Sequence, residues 1–398
     1  MDSETGLRRG RERLAACRLI AAVVAVLAIG AIALASCAAN GLSQSPAQTS
    51  GAGPPASVDW LVAPAGDPPL DFPEGVTWQV HFTNPEYSRR TQIGRGGLDE
   101  RLAALIDTAR QTLDVAIYQL DLASVTQAAI NAQRRGVRVR VVTDIDTLSD
   151  LAENRSFRQL EAAGIPIVAG NANAIMHNKF VIVDGTTLWT GSWNFTANDT
   201  YRNNNNALVV SSSHLAENYT QTFEKMFTRG QFGSGRVAGG GIPRFILDGT
   251  LVESYFTPED DVAGERIVAY LRSARTSIAF MVFSLTAGGI AQALGEAMQR
   301  GVTVRGVFER GNASSLFSQY PSLKALGMDV LLDGNPDQMH HKVFIVDDRV
   351  VMTGSYNYSS SAEHANDENV LIVDDARLAQ AYASEFRRVW QQAQKARQ

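Results

Sequence analysis

The spacing of hydrophobic residues along this chain switches repeatedly between two periods. Leu98, Leu102, Leu105, Ile106 and Ala109 recur three and four residues apart, which marks one face of a helix. The run DVAIYQL follows at once at residues 114–120, short and apolar enough for a buried strand. A second such run, FVIV at 180–183, ends in Asp184 and Gly185, a pair that supplies the positive φ angles of a tight hairpin. Side chains alternate along a strand, so His177 and Lys179 share a face, whereas Asp184 has the opposite parity and sits at the turn. In order, the pattern predicts helix, strand, helix, strand, helix, short strand, motif strand, return strand, edge strand and final helix. That is an α/β layering rather than a β-sandwich.

The series is written twice. MHNKFVIVDGTTLWTGSWNFT at residues 176–196 returns as MHHKVFIVDDRVVMTGSYNYS at residues 339–359, an offset of 163. The same offset carries Asn206 to Asn369, Tyr219 to Tyr382 and Phe223 to Phe386. Upstream, VAIYQL before AINAQRRGVRVRVV answers to MVFSL before LGEAMQRGVTVRGV at an offset of 165, a two-residue change in loop length. HFTNPE at His81 is echoed by YFTPED at Tyr255. Two long copies exclude a solenoid, whose units are shorter and more numerous. They predict two similar α/β/α sandwich domains about a pseudo-twofold axis, with the active site at their interface. The domains are expected over 73–230 and 250–394, with a linker over 231–249 that is glycine-rich from 233 to 243. A chain carrying both copies has its symmetry internally, so a monomer without an obligate protein partner is expected.

The first residues follow another plan. Arg8, Arg9, Arg11, Arg13 and Arg18 precede an apolar run over 19–34, the layout of a secretory leader. LASC at 34–37 resembles the lipidation box of bacterial lipoproteins, with Cys37 as the acylated residue; the plainer reading is an uncleaved membrane anchor. Either would tether the body outside the cytoplasm, through a flexible Ala, Gly, Ser, Pro and Gln spacer within 38–72. Both cysteines, Cys17 and Cys37, lie in the leader, so the body holds neither a disulfide nor a thiolate metal site. The chain carries a net charge of -5, and residues 1–36 hold five arginines and three acids, which leaves -7 for the rest. An acidic body is a poor general binder of nucleic acid.

The chemistry gathers at the repeated stretch. H-x-K-x4-D occurs as His177, Lys179, Asp184 and as His340, Lys342, Asp347, each followed by G-S-x-N. A phosphodiester needs a nucleophile at phosphorus, an acid for the departing alkoxide, and positive charge around its oxygens. Two imidazoles and two ammonium groups at one interface supply all three, without a metal or other cofactor. Lys179 and Lys342, with Asn194, Asn357, Ser192 and Ser355, are the candidates for holding phosphate oxygens. Asp184 and Asp347 complete the motif, yet turn positions favour Asp for local hydrogen bonding, so a supporting ion pair is expected of them rather than substrate contact.

These duplicated motifs resemble those of the phospholipase D superfamily over roughly residues 78–393. The resemblance implies a covalent phosphohistidine, and an acidic residue in each half that orients the motif His of the other. Glu368 stands at that place in the second half and Asn205 in the first, so His177 would face Glu368 and His340 would face Asn205. A carboxylate raises the basicity of an imidazole and fixes its tautomer, which makes His177 the nucleophile and His340 the acid.

The expected function is phospholipase D-type hydrolysis, or transfer, of phosphodiesters of membrane phospholipids. The alternatives are a metal-independent endonuclease or phosphodiesterase acting on nucleic acid, and a cardiolipin-synthase-like phosphatidyltransferase. Arg134, Arg135, Arg138 and Arg140 favour nucleic acid unless their alternation marks an exposed edge with solvated charges. A non-catalytic binding module is opposed by the intact pair of motifs. His341 is expected to pack or line the rim, and His81, His214 and His364 belong to no motif. Trp189, Trp193 and Tyr356 suit either a lipid-facing pocket or ordinary packing.

Overall fold

The structure, a computed structural model, describes residues 71–85, 97–150, 154–236, 241–260 and 263–397. After β1 (Asp71–Phe72), the first half supplies β2 (Thr77–Phe82), β3 (Thr112–Ile117), β4 (Arg138–Asp144), β5 (Ile167–Gly170), β6 (Lys179–Val183), β7 (Thr187–Gly191) and β8 (Asn206–Ser211). They lie side by side in the order β2-β8-β7-β6-β3-β4-β5, with β3, β4 and β5 mutually parallel and the other pairs antiparallel. The second half supplies β9 (Arg244–Leu247), β10 (Thr250–Thr257), β11 (Ser277–Val282), β12 (Thr303–Phe308), β13 (Asp329–Leu332), β14 (Lys342–Val346), β15 (Val350–Gly354) and β16 (Glu368–Asp374). Its sheet runs β1-β9-β10-β16-β15-β14-β11-β12-β13, so its last seven strands repeat the order of the first sheet.

Each sheet is covered on both faces. On the outer face of the first, Leu102 and Ile106, Val125 and Ala129, and Phe157 and Leu160 come from three helices and pack on Val139, Val141 and Val181. Ile267, Leu271, Ile290 and Leu294 do the same for the second. Between the sheets lies one shared core, in which Tyr219 and Phe223 of the helix Ser213–Phe227 meet Tyr382 and Phe386 of the helix Ala376–Lys395. The two-fold α/β/α plan expected from the repeat is therefore the plan of the molecule.

Three local expectations need correction. The strands read as edges, β8 and β16, are interior, because β2 and β10 close the sheets beyond them. Phe82 stands opposite Asn206 and Phe256 opposite Asn369, so the echo between HFTNPE and YFTPED is a true equivalence of strands. Secondly, the spans read as linkers contain β1 and β9, which pair in parallel (Asp71 with Ile246, Phe72 with Leu247) inside the second sheet. Thirdly, β4 is no exposed edge. Arg140 is buried and forks onto Asp114 at 2.7 and 2.8 Å, with Glu224 2.7 Å away on the other side. Only Arg138, at the start of the strand, is exposed. The leader, the apolar run over 19–34 and Cys37 lie outside the described residues. Among the described residues no helix is long and apolar enough to cross a membrane.

Candidate active site

The halves meet where the motif strands begin. His177 donates its backbone N–H to Asp367 O at 2.9 Å, and Asp367 donates to Ile175 O at 2.9 Å. The equivalent pair has His340 donating to Asn204 O at 2.9 Å and Asn204 donating to Gln338 O at 2.8 Å. Each motif strand thus enters beside the segment leading into β8 or β16 of the other half, which brings the four basic side chains to the seam.

Those side chains are nearly sealed: His177, Lys179, His340 and Lys342 are 5, 1, 6 and 1% exposed. His177 Nδ1 is 2.8 Å from Glu368 Oε2, and His340 Nδ1 is 2.9 Å from Asn205 Oδ1, the two cross-half pairs that the resemblance implies. Because the carboxylate only accepts, Nδ1 of His177 carries the hydrogen and Nε2 keeps its lone pair. Lys179 Nζ donates to His177 O at 2.6 Å and Lys342 Nζ to His340 O at 3.0 Å, so each ammonium is braced by its own motif. Tyr118 and Phe283, equivalent in the repeat, stand edge-on to the rings of His177 and His340 at 5.3 and 4.6 Å.

Burial without an anion is costly for so many bases. It pushes His177 down to about 4, with Glu368 opposing and Lys179 adding to the fall, and it pushes Lys179 down to about 7. His340 falls well below the ordinary value through burial and then through Lys342, Lys179 and His177. Lys342 falls likewise through burial and Lys179. A negatively charged phosphodiester would oppose each of these shifts, adding its charge to that of Glu368.

The G-S-x-N residues divide into two jobs. Ser192 Oγ donates to Asn205 Oδ1 at 2.8 Å and accepts from Asn206 N at 3.1 Å, while Ser355 Oγ accepts from Asn369 N at 3.0 Å and bonds Glu368. Both serines therefore hold the group that faces a motif His. Asn194 and Asn357 keep buried Oδ1 atoms without a hydrogen-bond partner among the described residues, at equivalent points of the repeat. An Oδ1 only accepts, so a phosphoryl oxygen would take its hydrogen bond from the Nδ2 group of the same carboxamide.

Asp184 and Asp347 lie elsewhere, and the ion pair expected of them is replaced by local hydrogen bonds. At φ of 52° each, they accept the backbone N–H groups of Arg110, Gln111 and Thr112, and of Arg275, Thr276 and Ser277. Five residues of strand, about 16 Å, separate Asp184 from Lys179. The carboxylates sew the hairpin to the neighbouring strand and do not touch the site.

A sequence profile of the family described as cardiolipin synthase, PLD-like domain, matches residues 102–227 and again 267–390, once in each half. The chain belongs to the phospholipase D superfamily. PLD-like domains are those of a phosphodiesterase family, which agrees with the enzyme class expected from the paired motifs. The mitochondrial cardiolipin hydrolase of Xenopus tropicalis is 36% identical over 135 residues, 34% of this chain and 64% of that protein. The phospholipase D of Rickettsia prowazekii (strain Madrid E) is 36% identical over 131 residues, 33% of this chain and 63% of that protein. The matched stretch thus spans less than two thirds of either relative. The solved phosphatidylserine synthase of Haemophilus influenzae Rd KW20 shares the fold, with a TM-score of 0.56 over 79% of this chain and 86% of that one, at 13% identity.

This phospholipase D-superfamily site also uses residues that the motif did not mark. Asn206 Oδ1 accepts from Thr353 Oγ1 at 2.9 Å and Tyr382 OH at 3.1 Å, both in the other half. Asn369 Oδ1 accepts from Thr190 Oγ1 at 3.0 Å and Tyr219 OH at 3.3 Å. The two asparagines are equivalent clamps between the halves, and their equivalence at the offset of 163 was the signal in the sequence. His341 is fully buried, with Nε2 2.9 Å from Glu385 Oε1 and Nδ1 3.1 Å from Asn206 Nδ2, so it belongs to this packing network rather than to the rim. Trp189 and Trp193 are buried among the helices of the first half, which makes them core.

Proposed function

We propose that the chain is a phospholipase D-type phosphodiesterase that cleaves, or transfers, phosphodiesters of membrane phospholipids through a phosphohistidine at His177. The observation that carries this is the inequality of the two imidazoles, one against the Glu368 carboxylate and the other against the Asn205 amide oxygen. His177 Nε2 attacks phosphorus as its Nδ1–H stays bonded to Glu368. The bond to the leaving alkoxide breaks as His340 gives it a proton. The neutral His340 then takes a proton from water, or from an acceptor alcohol, whose oxygen displaces His177 from phosphorus. Lys179, Lys342, Asn194 and Asn357 hold the phosphoryl oxygens throughout.

A lipid substrate is supported by an apolar tip on the same edge of the molecule. β11 and β12 end beside the start of β14, Val282 pairing with both Phe308 and Lys342. The loop after β12 carries a turn closed by Ser318 N to Ser315 O at 3.0 Å, with Leu316 and Phe317 at its corners, 89 and 72% exposed. Gln319 N donates to Leu285 O at 3.0 Å, which ties the turn to the segment of Phe283, the ring beside His340. Two adjacent large apolar residues held in water are an interaction surface, and a bilayer fits beside a phospholipid site. The names of the relatives, cardiolipin hydrolase and phospholipase D, agree. Nucleic acid is less well served, since Arg140 is consumed by Asp114 and Glu224. A tether outside the cytoplasm through Cys37 or an uncleaved leader is part of this reading; metabolic labelling with a fatty acid, lost in Cys37→Ser, tests the lipidation.

The deciding experiment is intact-protein mass spectrometry of the full-length chain in detergent, quenched during turnover of a short-chain phosphatidylcholine or of a DNA oligonucleotide. A phosphatidyl adduct that disappears in His177→Ala and accumulates in His340→Ala supports the proposal. An adduct from the oligonucleotide alone replaces it with the nuclease reading, and neither adduct nor turnover on either substrate overturns both.

A further inference from the structure

The two halves do not leave His340 without a carboxylate; they place it differently. Position 368 is Glu and its equivalent, 205, is Asn; position 199 is Asp and its equivalent, 362, is Ala. Asp199 lies in the short helix Ala197–Tyr201, is 4% exposed, and brings Oδ2 to 3.8 Å from His340 Nδ1, just beyond the Asn205 amide. Its aim is fixed. Asn203 Nδ2 donates to its Oδ1 at 2.6 Å and Asn194 N to its Oδ2 at 3.0 Å. Its backbone carbonyl accepts from Asn205 Nδ2 at 3.1 Å, which turns Asn205 Oδ1 toward the imidazole. Burial, Lys342, Lys179, His177 and His341 all press the His340 imidazole toward neutrality, and the other carboxylate of the seam, Glu368, acts together with Asp199 on Lys179 and Lys342.

We infer that Asp199 is the positioning residue for His340, supplying from one bond further out the negative charge that Glu368 supplies to His177. The inference rests on the phosphodiesterase reading. Its chemistry follows from distance. A carboxylate in contact makes an imidazole a stronger base, which suits a nucleophile. The same charge at 3.8 Å, beyond hydrogen-bond range and with a neutral amide in the contact position, stabilises the imidazolium less and leaves it the better acid, which suits protonation of an alkoxide. The hold on Asn205 comes from the backbone carbonyl of residue 199, so what the Asp199 side chain itself contributes is the charge.

The test is Asp199→Asn in the full-length protein, a change that preserves shape. Two diesters are compared, a phosphatidylcholine, whose choline alkoxide must be protonated, and a p-nitrophenyl phosphodiester, whose leaving group needs no acid. The expected result is a loss of about 30-fold or more in kcat/KM for the first and less than about threefold for the second. Asn205→Glu added to Asp199→Asn should restore the first activity in large part. Equal losses on both substrates, or no loss on either, overturn the inference. Independently of turnover, the NMR titration of His340 in protein saturated with inorganic phosphate should move about one unit lower in pH in Asp199→Asn. An unmoved titration overturns the role of Asp199 even where both substrates are turned over; a moved titration with no turnover of either substrate upholds it and sinks the phosphodiesterase reading instead.

Discussion

Nδ1 of His177 lies 2.8 Å from Oε2 of Glu368, and that bond crosses from one half of the chain to the other. Glu368 is fully buried and held below the usual carboxylate range, against the pull of burial, by its hydrogen-bonded contact with His177 and by Lys179 and Ser355. Glu368→Gln keeps an acceptor and removes the charge. The turnover number should fall about 10²–10³-fold with KM nearly unchanged, because Glu368 acts through the imidazole and not on the phosphate. Steady-state kinetics on a folded variant checks this, and a rise in KM alone would contradict it.

The buried bases make stability depend on pH in a stated direction. His177 falls from 6.5 to about 4 and Lys179 from 10.5 to about 7, so between each pair of values the unfolded chain binds more protons than the folded one. The phosphate-free protein should therefore gain stability as pH rises from about 4 to 6.5 through His177, and again from about 7 to 10.5 through Lys179. Inorganic phosphate restores the charges, so its binding near pH 8 should take up protons. Calorimetry in two buffers of different ionisation enthalpy measures the uptake, and net release would refute it.

The motif aspartates should prove structural. Asp184→Ala deprives three backbone N–H groups of their acceptor and puts Ala at a φ of 52°. A cost of about 1–3 kcal/mol in unfolding free energy is expected, with the turnover number within a small factor of wild type. Urea unfolding beside an activity assay separates the two effects.

Arg140→Met leaves Asp114 buried with its charge unpaired. Breaking such a pair costs about 3–5 kcal/mol, and denaturant midpoints would show it. Retention of DNA affinity, where any exists, would match the absence of Arg140 from the surface.

The apolar tip gives a test that depends on the state of the substrate. Leu316→Ser with Phe317→Ser should lower activity on phosphatidylcholine vesicles about tenfold or more and leave activity on the same headgroup in a monomeric short-chain lipid nearly unchanged. Equal activity of the variant on both would remove the turn from the membrane contact.

What could be read in the sequence depended on whether the signal was local or repeated. His177, Lys179, His340 and Lys342 were legible because their spacing recurs in register, and a strand's alternation puts each His beside its Lys. The positions of β8 and β16 were misread because their outer neighbours, β2 and β10, pair with them from more than a hundred residues away. Asp199 carried no motif; its value comes from a five-residue helix that folds it back behind Asn205. Arg140 looked solvated because alternation says which side chains share a face, but not that Asp114 lies opposite. Asn206 and Asn369 were visible as equivalents, yet only folding shows that each clamps the other half.

A site built from two identical chains obeys a strict rule, that every substitution appears on both sides of the axis. Glu368 beside His177 and Asn205 beside His340 break that rule, as a chain that carries both copies is free to do. Holding both copies in one chain does more than raise the effective concentration of one half for the other. Each half is then open to substitution by itself, so one imidazole can take a partner that its twin does not share.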